Sequence, residues 1–200
     1  ITPIKMNRDT ASVFLNQVTA SVVEPIEPVF VDYKKDMAVL EAQSGIEVLY
    51  KQNITNHLFE LNYIFDMGEY QDKALGLAGR YLEYLGTKDM TSEEIQRAFY
   101  EMACGFSVSP GSERTYIRLT GLQENMPKAV ALLEKLLAEA QVNADAYQNL
   151  VSNELKARQD AKLSQSENFK RVRAYAQYGP KNPFTNILSE KELKGMNPQE

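Results

Sequence analysis

The rhythm of apolar and polar residues changes near position 45. Beyond it, Phe59, Leu61, Tyr63 and Phe65 alternate with Glu60 and Asn62, which predicts a strand over 58–66 with one face buried. A shorter strand is expected over 46–51. Over 71–86 the spacing lengthens: Leu75, Ala78, Leu82 and Leu85 fall on one side of a helix that Gly86 closes. Thr91-Ser92-Glu93-Glu94 carries the hydroxyl and carboxylate of a capping box, so a second helix is expected over 92–104. A hairpin follows, with strands over 105–109 and 114–122, a turn at 110–112, and Ile117 and Leu119 pointing inward. Ala129, Leu132, Leu133, Leu136, Leu137 and Ala140 define an amphipathic helix over 126–140. More polar helices are expected over 143–163 and 165–178. Gly179-Pro180-Lys181-Asn182-Pro183 breaks the pattern, and Ser189 to Glu192 caps a last short helix.

Residues 1–45 read differently. One short helix over 8–22 would place Val13, Phe14 and Val18 together. Glu24-Pro25-Ile26-Glu27-Pro28 then sets two prolines three apart, which resists both helix and inner strand. The expectation is a connector over 1–45, leading from a preceding domain into an α+β domain over 46–200. Antiparallel strands in order with helices collected on one face predict a two-layer sandwich with a mainly antiparallel, mixed sheet.

Composition narrows the function classes. The 200 residues carry a net charge of −5, so the basic excess of a nucleic-acid surface is absent and no nucleic acid is expected. The apolar runs fall short of the ~20 residues a membrane span needs. With one cysteine, Cys104, the chain has no internal disulfide; the residue reads as a small packing residue. The compartment stays open between cytoplasm and periplasm. His57, the one histidine, reads as a strand-edge residue. Lys156, Arg158, Lys162, Lys170, Arg171 and Arg173, interleaved with Glu154, Asp160 and Glu167, read as a solvated helical face. Gly76 and Gly79 belong to no phosphate-binding loop, since neither G-x-G-x-x-G nor a Walker lysine is present; they read as close-packing positions.

The stretch Gly76-Leu77-Ala78-Gly79-Arg80-Tyr81-Leu82-Glu83-Tyr84-Leu85-Gly86-Thr87 resembles the active-site helix of the insulinase/pitrilysin zinc peptidases, which carries H-x-x-E-H. The resemblance extends over 45–195. It takes in the strand ending at Gly68, the hairpin with Leu119-Thr120-Gly121-Leu122, and Tyr178-Gly179 with Asn182-Pro183. In that motif two imidazoles on one helix face hold zinc and the intervening glutamate is general base. Arg80 and Tyr84 stand at the histidine positions, Glu83 at the base position, and Glu154 at the distant glutamate ligand. Tyr147 replaces an acidic residue one heptad before Glu154.

The resemblance therefore implies a degenerate site with no catalytic residue, no metal and no cofactor in this chain, zinc being expected in a sister domain. A guanidinium keeps its proton and cannot ligate a metal. Two readings of Arg80 follow: it bridges Glu83 and Glu154 in place of the ion, or it makes an ordinary surface pair with Glu83. The resemblance also implies partners. These are the other domains of one parent chain, a peptide held in their chamber, and, if the domain is incomplete at its end, a second copy paired along an exposed sheet edge. A separate non-catalytic subunit and a purely structural relative are the alternatives.

Overall fold

The computed structural model describes residues 10–199. Residues 1–9 and 200, with the start of the expected 8–22 helix, lie outside the described residues. The chain divides into two units between Gln52 and Asn53.

In the first unit, Ser12 accepts a hydrogen bond from Leu15 N and starts helix α1, Val13–Ala20. Val13, Phe14 and Val18 are all exposed, so the apolar side of this helix is not spent on burial. A single turn, α2 (Tyr33–Asp36), is capped by Asp32. Strands β1 (Ala38–Glu41) and β2 (Glu47–Tyr50) form an antiparallel ribbon closed by the turn at Gly45. The strand expected over 46–51 is thus present, but its partner is β1. None of the described residues of this unit is buried.

The second unit is built on a three-stranded antiparallel sheet. Strand β3 is Leu58–Phe65, β4 is Cys104–Pro110 and β5 is Thr115–Leu122; the spatial order is β3-β5-β4, with Tyr63 opposite Ile117 and Val108 opposite the same residue. Alternation sends Phe59, Leu61, Tyr63, Phe106, Val108, Ile117 and Leu119 to one face. There they meet Ile95 and Phe99 of α4 (Ser92–Glu101) and Ala129, Leu133 and Leu136 of α5 (Met126–Glu139). Each large aliphatic side chain fully buried here contributes about 1.5–3 kcal/mol. The other face is mixed: Arg118 pairs with Glu60 across the strands, and Leu58, Ile64 and Tyr116 are exposed beside them.

A second core lies between helices. Leu77 and Tyr81 of α3 (Leu75–Leu82), with Leu85 just after it, pack on Tyr147, Leu150 and Val151 of α6 (Ala144–Leu163). Leu188 and Leu193, the latter in α8 (Glu190–Gly195), complete the cluster. Leu82 touches both cores and joins them. Helix α7, Gln165–Tyr178, buries only Ala174. Its C-cap, Gly179, takes φ +76°, a left-handed conformation that favours glycine.

Helix α3 is shorter than the spacing predicts. Its first turn is replaced by an Asp72 side-chain turn that accepts from Ala74 N. It stops at Leu82 because Gly86 is taken up in a bridge to Gln141 instead of ending the helix. Both capping boxes form, Thr91 with Glu94 and Ser189 with Glu192.

Candidate functional site

Helix α3 lies against β4, and Gly79 sets how closely. A Cβ at that position would sit 2.9 Å from Val108 Cγ1, so a larger residue would push the helix off the strand. This packing fixes where the motif positions point. Arg80, one residue on, is on the side of the helix that faces α6.

There the Arg80 guanidinium donates from Nη1 to Glu154 Oε2 at 2.7 Å, and its Nε donates to the Gly76 carbonyl at 3.2 Å. The other oxygen, Glu154 Oε1, accepts from Arg158 Nε at 2.8 Å, and Arg158 Nη1 donates to the Leu188 carbonyl at 2.6 Å. One carboxylate is therefore held between two guanidiniums, and the second ties α6 to the segment entering α8. Glu154 is largely covered, its side chain 17% exposed, whereas that of Arg80 is 51% exposed. Burial alone would raise the Glu154 carboxyl; the hydrogen bonds and charges of Arg80 and Arg158 outweigh it and hold the group below its ordinary range.

The other motif positions lie elsewhere. Glu83 falls just past the end of α3, is exposed, and makes no hydrogen bond or ion pair with Arg80. Its backbone carbonyl accepts from Gln96 Nε2 at 3.0 Å. Arg80 therefore bridges Glu154 to its own helix and not to Glu83, and the surface pair with Glu83 is not formed either. The helix ends at Leu82 with Glu83 as its C-cap, and neither Glu83 nor Tyr84 joins the contacts that Glu154 makes with Arg80 and Arg158. Tyr84 is 49% exposed.

Tyr147 serves packing. It is buried, donates to the Leu193 carbonyl at 2.8 Å, and meets Tyr81 edge-on with ring centroids 5.5 Å apart. Burial, with a smaller contribution from Tyr81, pushes its phenol up. Tyr81 in turn donates to the Asn143 carbonyl and accepts from Asn143 N, which seats the start of α6 on α3.

Arg158 was not singled out as a site residue by the sequence. The signal was available, since Glu154 and Arg158 are an i, i+4 pair on one helix. What the spacing does not reveal is that the pair faces inward. His57 is exposed, its carbonyl accepting from Gln123 N. Cys104 is half-buried, with its thiol directed to the Met102 carbonyl.

A cavity of about 120 Å³ adjoins Arg80, Glu154 and Arg158, bounded also by Glu69, Leu77 and Leu188. Its donor set does not fit a divalent metal ion. Both oxygens of Glu154 are engaged by guanidinium N–H groups, and a guanidinium offers hydrogen-bond donors only, with no lone pair for a metal. Among the described residues, nowhere do three His, Cys, Asp or Glu side chains come together in a way that could hold a metal. No helix among these residues is long and apolar enough to cross a membrane.

No family model and no curated protein matches the sequence. The fold does have solved counterparts. The periplasmic protease PqqL from Escherichia coli superposes with a TM-score of 0.68 at 14% identity, over 90% of this chain and 22% of that one. A peptidase M16 inactive domain from Pseudomonas fluorescens gives 0.64 at 17% identity, over 78% and 38%. A protease from Helicobacter pylori gives 0.62 at 11% identity, over 80% and 40%. The α+β architecture is thus that of M16 peptidase domains, and this chain spans well under half the length of each of these proteins.

Proposed function

We propose that this chain is a non-catalytic domain of an insulinase/pitrilysin-type zinc peptidase and that it helps to enclose the chamber in which the full-length protein holds its peptide. The observation that carries the reading is the Arg80–Glu154 ion pair, seated where the family's motif helix would meet its distant ligand. At this place a fixed guanidinium neutralises a partly covered carboxylate, so the helix pairing survives without an ion. Zinc belongs, on this reading, to a sister domain of the same polypeptide that carries the imidazoles. The segment before the second unit serves as the connector to it. The M16-type fold and the greater length of its solved counterparts support a multi-domain parent.

The test is a zinc titration of the purified chain against a chromogenic chelator, together with a peptidase assay. The expected result is no stoichiometric uptake and no activity that Glu83→Gln removes. One zinc per chain, lost in both Glu154→Ala and Glu83→Ala, would overturn the reading.

A further inference from the structure

Lys156, Arg158, Lys162 and Arg171 line one groove of about 400 Å³ between α6, α7 and the segment that enters α8, with Leu155 and Ile187 as its apolar wall. The chain as a whole is acidic, at −5, so four cations around one concavity run against its general balance. Glu190 is the one carboxylate among the lining residues, and Lys194 already holds it at 2.6 Å.

The two arginines are fixed in place. Arg158 is tethered by Glu154 and by the Leu188 carbonyl. Arg171 lies over the Phe184 ring, 5.1 Å from its centroid, and its Nε is buried without a hydrogen-bond partner. The lysines, exposed on α6, can follow whatever the arginines orient. A bare inorganic anion would leave Leu155 and the half-exposed Ile187 facing water. A carboxylate borne on an aliphatic stem would satisfy the cations and cover the wall at once.

We infer that this groove binds an acidic side chain of a peptide in which aliphatic residues flank the carboxylate. The proposal does not rest on the reading of the Arg80 site, and substitutions at Lys156 and Lys162 leave that site's contacts intact.

The experiment is fluorescence anisotropy with the 200-residue chain in low-salt buffer and a labelled hexapeptide of alternating Leu and Glu. Saturable binding is expected. It should weaken at least tenfold with Lys162→Gln, with Lys156→Gln, and when Gln replaces Glu in the peptide, and should be unchanged with Lys170→Gln, which lies outside the groove. Arg171→Gln should act in the same direction, but the exposed lysines carry the test because Arg171 also packs on Phe184. The proposal is overturned by an absence of saturable binding, by equal loss in Lys170→Gln, or by a Gln peptide that binds as well. Displacement by inorganic phosphate at concentrations equal to the peptide's would likewise overturn it, marking a phosphate site.

Discussion

Arg80 Nη1 and Glu154 Oε2 stand 2.7 Å apart, joining helices that are far separated in the chain. The pair shares its carboxylate with Arg158, so removing one partner does not cost the same as removing another. Because the Arg80 side chain is about half exposed, solvent screening limits its contribution. Arg80→Ala is expected to destabilise by about 1 kcal/mol. Glu154→Ala should cost about 2 kcal/mol or more, since it leaves two guanidiniums unpaired. In a double-mutant cycle read by urea denaturation, the coupling should be about 0.5–1 kcal/mol. Strict additivity would mean that the contact contributes nothing.

Acid should weaken the same link. The Glu154 carboxyl is depressed in the folded state: burial opposes the shift, and the two arginines more than offset it. A depressed carboxyl adds stability that is present above the unfolded value, about 4.3, and is lost as pH falls through the folded one. The stability gap between the native chain and Glu154→Gln should therefore be constant from neutral pH down to about 5 and close below about 4. Glu60, Glu190 and Glu192 are lowered too, so the comparison with Glu154→Gln, rather than the native curve alone, isolates this group. A gap that widens on acidification would contradict the assignment.

Gly79 should tolerate no side-chain growth. Gly79→Val drives a branched side chain into Val108 and is expected to cost about 1–3 kcal/mol by overpacking. Val108→Ala in the same chain should recover part of that loss, because it opens the space the new methyls need. Thermal unfolding of the two single variants and the double variant gives the answer; no recovery in the double variant would place the strain elsewhere.

Tyr147→Phe removes the hydroxyl that holds the Leu193 carbonyl while keeping the ring against Tyr81. The expected loss is about 1 kcal/mol, from one hydrogen bond and one buried acceptor left open. Amide exchange should accelerate in α8 before it does in α4 or α5. Uniform acceleration across the sheet core would show that the hydroxyl acts on the whole unit and not on α8 alone.

Period-two and helical spacing and both capping boxes are local facts, and the sequence alone determined them. Local hydrogen bonding and side-chain chemistry act within a few residues, so they can be read without neighbours. The link from Arg80 to Glu154 was legible only through a family resemblance. That Glu83 stands aside from it was not, because the end of α3 depends on Gly86 meeting Gln141 from a distant loop. The pairing of β2 with β1 depends likewise on which backbone lies alongside. Lys156, Lys162 and Arg171 read as a solvated face until α6 and α7 fold back and enclose a groove between them. Tertiary structure decided these points, because packing between distant segments sets both where a helix stops and which charges share a cavity.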